Sequence, residues 1–298
     1  GHGARPVLWV GRPILRLLRG ARWADVVLCW NISDHAFVAS LVARRLACVV
    51  GGYEFANLPA LHYGNLISWR MRFLTRRVWK RADALLYVDP SLEEEATRAF
   101  GSPGRAVYLP TGYDPTFWSP GAGPREDIVV TVGHAPTRER LALKGIDLFL
   151  QAAAANPDLE FHIVGELPVG TDASHLGPNV VADGWMGRDA LRDLYRRAKV
   201  YCQFSMHEGL PNALCEAMLC GCIPLGTRVN GIPTAIGDAG FLVDRDLGAI
   251  HDALRHAFAD PALGQPARER IAGMFPLERR IQHLGQVLDA LAAGRGLA

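Results

Sequence analysis

Residues 207–218 read His207-Glu208-Gly209-Leu210-Pro211-Asn212-Ala213-Leu214-Cys215-Glu216-Ala217-Met218, and they follow an apolar and aromatic run at 200–205. That run is typical of a short buried strand, and Pro211 is typical of the first turn of a helix. The amides of Gly209, Leu210 and Asn212 would then lie at the positive end of the helix dipole. The sequence therefore predicts an anion site here, and a phosphate group is its expected ligand.

Two carboxylates accompany this predicted anion site. Glu208 lies at its mouth, and Glu216 lies on the helix that follows. A carboxylate beside a phosphate is favourable when it binds hydroxyl groups or stabilises a developing positive charge, and a sugar nucleotide offers both. Taken alone, the two glutamates are also compatible with a loop carboxylate and a solvated helix position.

The segment from Glu208 to Asp244 resembles the nucleotide-sugar site of retaining glycosyltransferases with the two-lobed GT-B architecture, in the large family numbered four (GT4). The resemblance begins with two glutamates separated by seven residues and continues through the glycines and prolines of 217–225, 230–233 and 237–243. It implies that Glu208 contacts the donor sugar and acts in catalysis. It also implies that Glu216 holds the ribose of the nucleotide.

A second part of the resemblance lies nearer the middle of the chain. Gly133-His134-Ala135-Pro136, followed by Leu143-Lys144-Gly145, is similar to the family's glycine–arginine turn and its lysine–glycine pair. The resemblance implies that Gly133, Lys144 and a second cation bind the donor diphosphate, where positive charge stabilises the leaving group. His134 stands where the family has arginine, and Arg138 or Arg140 could replace it. The alternative for Lys144 is a surface charge before a helix.

Strand-like and helix-like segments alternate along the chain, which predicts an α/β fold with parallel sheets. The resemblance implies two Rossmann-like lobes of the GT-B type. We expect an N-terminal acceptor-side lobe at 1–118 and a C-terminal nucleotide-sugar-binding lobe at 119–275. The last segment, 276–298, is predicted to be a helix that packs back towards the first lobe.

The first lobe departs from the family pattern. Family members begin with a strand and a glycine-rich loop that this chain lacks, so the lobe is either missing an N-terminal piece or shortened. The usual histidine after the strand at 47–52 is also absent, and the positions read Gly51-Gly52-Tyr53-Glu54. Because glycine lets the backbone approach a ligand closely, Gly51 and Gly52, together with Glu54, are candidates for the acceptor side.

Charge is distributed unevenly along the chain. Residues 1–81 contain thirteen Lys and Arg against three Asp and Glu, a net charge of +10 within a protein whose total is +2. Basic residues are interleaved with Trp, Leu and Phe at 7–23 and 69–81, a pattern typical of helices that rest on anionic membranes. The alternative is that the apolar residues face the core and the arginines are merely solvated. Nucleic acid is not an expected partner, because no recognition module accompanies the charge.

Composition is that of a globular protein, with 49% hydrophobic and 21% charged residues. No apolar run is long enough to span a bilayer, and the N-terminus lacks a secretory signal pattern. The six cysteines lie in apolar contexts without the spacing of a zinc site, which predicts buried free thiols in a reducing compartment. We therefore expect a cytoplasmic protein, either free or peripheral on the inner face of the membrane.

These features together predict a retaining glycosyltransferase. It would move a sugar from a nucleotide-diphospho-sugar to a hydroxyl of a glycan or lipid-linked acceptor, without a metal ion or another cofactor. Two alternatives stay open at this point: a catalytically inactive subunit that binds a nucleotide sugar, and a GT-B sugar-nucleotide epimerase.

Overall fold

The computed structural model describes residues 7–102, 104–171 and 176–295, with side chains from residue 13 onward. The chain divides into two compact units, one formed by Gly1–Pro110 with Ile281–Ala298 and the other by Thr111–Arg280. The sequence placed its boundaries after residues 118 and 275. The roles of acceptor-side and nucleotide-sugar-binding lobe stay predictions.

The first unit contains a four-stranded parallel sheet in the order β1-β2-β3-β4. Its strands are β1 (Val26–Trp30), β2 (Arg45–Val50), β3 (Ala84–Tyr87) and β4 (Ala106–Tyr108). Its helices are α1 (Val7–Trp23), α2 (Asp34–Ser40), α3 (Trp69–Arg81) and α4 (Pro90–Phe100). The central strands β2 and β3 are buried along almost their whole length, as apolar strands covered on both faces are.

The second unit contains a six-stranded parallel sheet in the order β10-β9-β8-β5-β6-β7. Its strands are β5 (Glu126–Val132), β6 (Glu160–Val164), β7 (Val180–Gly184), β8 (Ala198–Gln203), β9 (Ile223–Thr227) and β10 (Phe241–Val243). Its helices are α5 (Arg138–Lys144), α6 (Ile146–Ala154), α7 (Arg188–Arg197), α8 (Asn212–Leu219), α9 (Gly231–Ile236), α10 (Leu247–Ala259) and α11 (Gly264–Met274). A final helix, α12 (Leu277–Ala292), begins in this unit, and its residues from Ile281 onward belong to the first unit.

The strand order of the second sheet contains one switch point. From β5 the chain adds β6 and β7 on one side of the sheet, and it then returns to add β8, β9 and β10 on the other side. Ligands of such sheets bind outside the carboxyl ends of the strands where the order reverses. The carboxyl ends of β5 and β8 therefore mark the expected site.

The predicted fold class of two α/β units with parallel sheets is confirmed. Helix α4 is capped by Asp89, whose carboxylate accepts from the Ser91 amide at 2.9 Å. One local prediction was wrong in detail. Pro211 precedes α8 instead of lying in its first turn.

Two further observations concern the whole described chain. None of the described helices has the length and apolar character that crossing a bilayer requires. The six cysteines are buried and free of disulfide bonds, as the sequence predicts.

Candidate active site

Close contacts between glycine backbones join the loops at the switch point. The Gly133 amide donates to the Val164 carbonyl at 2.9 Å, and a Cβ on Gly165 would lie 2.2 Å from the Gly133 carbonyl oxygen. Gly145 has a φ of +70°, and a Cβ there would lie 2.0 Å from the Phe204 carbonyl oxygen. Only glycine fits such positions without strain. The turn between α5 and α6 is thereby held against the carboxyl end of β8.

This contact places Lys144 beside Glu208. The Lys144 ammonium donates to Glu208 Oε1 at 2.6 Å, and the two side chains are only 27% and 13% exposed. Charged hydrogen bonds of this length are stronger than neutral ones. Two residues that lie 64 positions apart in the sequence therefore form one ion pair at the expected edge of the sheet.

Polar side chains from β8 and its following loop hold the Glu208 carboxylate. Oε1 accepts from the Ser205 hydroxyl at 2.9 Å and from the Gln203 amide at 3.2 Å. Gln203 is itself fixed by the buried Tyr201 hydroxyl, which donates to its amide oxygen at 2.8 Å. The carboxylate orientation is thus set by a network that begins in the core of the sheet, which limits its rotation.

The loop after β9 supports the same segment from the other side. The Glu208 amide donates to Asn230 Oδ1 at 3.3 Å, and the Gly231 amide donates to the Gly209 carbonyl at 3.1 Å. Asn230 adopts a positive φ of 44°, which asparagine tolerates better than most residues. The Asn-Gly pair therefore fixes the turn that carries Glu208 and Gly209.

A cavity of about 420 Å³ opens beside this ion pair in the second unit. Its walls come from β5, β6, the segments before α5 and α7, and α8. The lining residues are Trp118, Val132, Gly133, His134, Lys144, Val164, Gly165, Trp185, Met186, Arg188, Leu191 and Glu216. A second cavity of about 550 Å³ shares Gly165 and Trp185 with it.

Glu216 lies in the second turn of α8 and faces the cavity. Burial raises the pKa of Glu216 to about 7, and the positive charge of Arg188 acts in the opposite direction. Among the described residues, no hydrogen bond reaches its carboxylate. A buried acid poised near neutrality in a cavity is a common feature of functional sites.

The predicted anion-binding residues lie at the start of α8. Leu210 is buried, and Pro211 is the last residue before the helix. Asn212 is the first helical residue, and its Oδ1 accepts from the Tyr113 hydroxyl at 2.9 Å. With Gly209 held by Gly231, this end of the helix is fixed next to Glu208.

His134 and Arg138, the candidates for a second group that binds the diphosphate, lie in different places. His134 lines the cavity, and its Nδ1 lies 3.1 Å from Glu166 Oε2. Arg138 is exposed at the start of α5 and is not among the cavity-lining residues. The structure thus brings His134, and not Arg138, to the same cavity as Lys144. Among the described residues, no group of three or more His, Cys, Asp and Glu side chains is arranged to hold a metal ion.

The acceptor-side candidates belong to the first unit. Gly51 is exposed and Gly52 has a φ of +124°, whereas Glu54 is completely buried. The Glu54 carboxylate accepts from the amides of Gly52 at 2.9 Å, Gly51 at 3.2 Å and Ile32 at 3.4 Å. Burial raises its pKa, while these amides act to lower it. Glu54 therefore stabilises the turn at Gly51 and Gly52 through hydrogen bonds from their amides.

Trp118, Trp185 and Arg188 are among the cavity-lining residues that sequence reasoning missed. By pattern alone, Trp118 belongs to a passage leading into the linker, and Arg188 only marks the start of a helix. The Arg188 guanidinium lies 4.5 Å from the ring centre of Phe117 and 5.6 Å from that of Trp118. An aromatic pair far from its arginines in sequence gives no local signal, so only the fold reveals this contact.

The chain is similar in sequence to a family of glycosyl transferases and to several known proteins. Residues 126–260 match the family model described as glycosyl transferases group 1. That segment contains both Lys144 and the two glutamates. The chain is also similar to the α-galactosylglucosyldiacylglycerol synthase of Streptococcus pneumoniae, at 23% identity over 89% of this chain and 76% of that protein. The α-maltose-1-phosphate synthase of Mycolicibacterium smegmatis is 24% identical over 94% of this chain and 80% of that protein.

Solved structures show the same two-lobed architecture. Sucrose-phosphate synthase from Thermosynechococcus elongatus superposes with a TM-score of 0.77 at 21% identity, over 94% of this chain and 77% of that one. Anabaena HepE in complex with UDP-glucose gives 0.79 at 16% identity, over 96% and 84%. The fold is therefore GT-B. Residues 126–260 are similar to glycosyl transferases group 1, and the protein is a glycosyltransferase.

Proposed function

We propose that the protein is a retaining glycosyltransferase of the GT4 type that uses a nucleotide-diphospho-sugar as its donor. The observation that carries the proposal is the Lys144–Glu208 ion pair, which lies beside a cavity that also contains Glu216. The complex of the structural neighbour HepE with UDP-glucose supports a nucleotide sugar as the ligand. The site lies at the strand switch point, where such ligands bind in open α/β sheets.

The proposed roles follow from charge. Lys144 and the amides at the start of α8 neutralise the donor diphosphate, which departs as the leaving group. Glu208 positions the donor sugar and offsets the positive charge of its oxocarbenium-like transition state. The acceptor hydroxyl attacks on the face from which the diphosphate leaves, which retains the anomeric configuration. Glu216 accepts hydrogen bonds from the ribose hydroxyls.

A phosphate clamp needs more than one positive group. In our proposal His134 provides a further phosphate contact beside Lys144 through a ring N–H, because it lines the cavity at the position where the family has arginine. Arg138 could contribute only if its exposed side chain turned towards the cavity. The reaction proposed here uses no metal ion, since the diphosphate charge is met by side chains and amides.

We propose a glycan or lipid-linked acceptor. The support comes from a relative named for a diacylglycerol product, and from a second relative, a component of the phosphatidylinositol N-acetylglucosaminyltransferase of Arabidopsis thaliana. Gly51 and Gly52 are the proposed acceptor contacts of the first unit. Glu54 acts there by holding their amides, rather than by touching the acceptor.

We also propose that the first unit rests on an anionic membrane surface. Trp69 is 83% exposed and Phe73 is 54% exposed, on the same face of α3 as Arg72, Arg76 and Arg77. Each basic group near an anionic leaflet contributes about 1 kcal/mol. Such a position corresponds to a peripheral protein on the cytoplasmic side.

Not every predicted membrane residue contributes to this surface. Trp23 is 85% exposed, whereas Trp79 is only 5% exposed and packs in the core, so its assignment to the surface was wrong. The side chain of Trp9 lies outside the described residues. Arg70 forms an ion pair with Asp34 at 2.9 Å, which offsets its charge.

The test of the proposed reaction is product formation from isotopically labelled UDP-, GDP- and ADP-glucose. Each donor is incubated with diacylglycerol vesicles, with maltose, or with water alone, and the products are identified by NMR. We expect transfer from one donor with an α-linked product, and its loss in Glu208→Ala. A β-linked product would contradict the retaining mechanism, and an isomerised sugar nucleotide would identify an epimerase. Nucleotide-sugar binding without any product would identify an inactive subunit.

Membrane attachment is tested by flotation with vesicles of anionic and of neutral lipids. The triple variant Arg72→Gln, Arg76→Gln, Arg77→Gln should lose binding to anionic vesicles. Arg70→Gln is the matched control, because its charge is already paired with Asp34. If binding does not depend on lipid charge, or if it persists after the triple substitution, the basic face of α3 is solvated and does not bind the membrane.

A further inference from the structure

Arg188 is held above an aromatic platform at the edge of the cavity. Its guanidinium lies 4.5 Å from the ring centre of Phe117 and 5.6 Å from that of Trp118. The two rings meet edge to face at 4.9 Å, and the Trp118 carbonyl accepts from Arg268 at 3.0 Å. Cations stacked on aromatic rings in this way are attracted by the ring quadrupole. The Arg188 side chain is exposed, and these two rings hold its guanidinium at the cavity edge.

A neighbouring arginine on the same helix provides a contrast. Arg192 also stacks on Phe117, at 4.7 Å, but it forms ion pairs with Asp189 at 3.2 Å and Asp193 at 3.3 Å. No carboxylate of the described residues lies within ion-pair distance of Arg188. Arg188 lines the cavity, whereas Arg192 does not. The positive charge of Arg188 is thus available to the cavity.

The carboxylate of the same cavity is that of Glu216. Lys144 and His134 also line the cavity, but Lys144 is engaged with Glu208 and His134 lies 3.1 Å from Glu166. The phenols of Tyr113, Tyr195 and Tyr201 surround α8 from the core, where burial raises their pKa values and keeps them neutral. Arg188 forms no ion pair with a carboxylate of the described residues. Its charge also acts on Asp114, whose pKa is lowered chiefly by hydrogen bonds from Thr116.

We propose that Arg188 is a positioning residue that favours the ionised form of Glu216, which accepts hydrogen bonds from the ribose hydroxyls of the donor. The inference rests on the proposed function, which assigns the ribose to Glu216. Arg188 acts through the charge that Phe117 and Trp118 hold at the cavity wall. It does not contact the reacting atoms.

The chemical reason is the number of hydrogen-bond donors that the ribose offers. Two neighbouring hydroxyls each offer a proton, and an ionised carboxylate accepts both, whereas a protonated one carries a donor of its own. Burial raises the pKa of Glu216 and the charge of Arg188 lowers it, with a net value of about 7, so the ionised fraction near neutral pH depends on Arg188. Arg188 is exposed, so solvent weakens its effect, but its charge still favours the ionised carboxylate on the wall of the same cavity.

The direct test measures the titration of Glu216 in the ligand-free full chain. Glutamate is labelled with ¹³C at its carboxyl carbon, and the resonance of Glu216 is assigned by its absence in Glu216→Gln. Arg188→Gln should raise the apparent pKa of Glu216 by about one unit, and Arg188→Lys should restore most of the difference. Arg192→Gln, which loses a stacked but already paired arginine, should leave it unchanged. An unchanged titration in Arg188→Gln would overturn the proposal.

Nucleotide binding separates this inference from the proposed function. Equilibrium dialysis with UDP, GDP and ADP should show that Arg188→Gln weakens nucleotide binding about fivefold at pH 7, because a smaller fraction of Glu216 is ionised. At pH 9.5 the wild type and the variant should bind equally. Equal weakening at both pH values would make Arg188 a direct ligand and overturn the positioning role. If Glu216→Gln binds nucleotide normally while Arg188→Gln still shifts the Glu216 pKa, the ribose assignment fails and the electrostatic coupling stands.

Discussion

Replacing Glu216 with glutamine should stabilise the fold at alkaline pH although it damages the site. Folding raises the pKa of Glu216 from 4.5 to about 7, because its carboxylate is largely buried in the wall of the cavity. Between these two pH values the folded protein keeps a proton that the unfolded chain has lost. Wild-type stability therefore falls as the pH rises through this window, and the full cost is present above pH 7.

The size of the effect follows from the shift of about 2.5 units, the difference between about 7 and 4.5. Each unit corresponds to about 1.4 kcal/mol, which sets an upper limit of about 3 kcal/mol at pH 8. The cavity admits solvent, and a glutamine amide must also be buried there, so the measured gain should be smaller. Below pH 4.5 the Glu216 carboxyl is protonated in both states, and this advantage of the variant disappears.

The assay is urea unfolding of the wild type and of Glu216→Gln at pH 5 and pH 8, followed by circular dichroism. We expect the variant to have the higher midpoint at pH 8 and a smaller difference at pH 5. Glu269→Gln is the matched control, because the Glu269 side chain is exposed on α11 and has no burial cost to relieve. A variant that is equally stable or less stable at pH 8 would refute the reasoning.

Three further predictions concern the pair beside the cavity. In thermal unfolding, Gly145→Ala should destabilise the second unit by about 1–3 kcal/mol, because its Cβ would lie 2.0 Å from the Phe204 carbonyl oxygen. The control Gly273→Ala lies in a helix with open space around it and should be neutral or stabilising. Lys144→Ala should weaken calorimetric binding of a nucleoside diphosphate, and equal weakening of the free nucleoside would indicate misfolding instead. Glu208→Ala should lower kcat about a hundredfold or more, whereas turnover near that of the wild type would exclude the assigned role.

The site residues predicted from the sequence came from short motifs and from the family resemblance that these motifs carry. Glu208 and Glu216 flank a Gly-Pro turn, Lys144 precedes a glycine, and their roles stay predictions. The structure brings Lys144 and Glu208 to 2.6 Å and places Glu216 at the same cavity as Lys144. The alternation of strands and helices likewise predicted both parallel sheets, since burial on two faces leaves continuous apolar strands.

Residues whose roles depend on packing could not be identified in this way. Arg188 faces the cavity because Phe117 and Trp118, some seventy positions earlier, supply the surface on which it stacks. Glu54 was predicted as an acceptor-side residue, and the structure shows its carboxylate completely buried, where it accepts from three backbone amides. Trp79 shares a basic stretch with Trp69, yet the two rings lie on different faces of one helix, one buried and one exposed. Composition does not distinguish these faces.

The two glutamates of the site solve the problem of a buried carboxylate in different ways. Glu208 is neutralised by direct contact with Lys144, so its charge costs little until a donor diphosphate competes for the lysine. Glu216 has no such contact among the described residues, and its raised pKa records the cost of burial. In the proposed reaction this division is useful. The arriving diphosphate draws Lys144 towards itself and leaves the negative charge of Glu208 facing the sugar, where positive charge develops. Glu216 accepts hydrogen bonds from the ribose hydroxyls at the same moment. Binding of the sugar nucleotide therefore offsets the burial cost of Glu216 while it prepares Glu208 for catalysis.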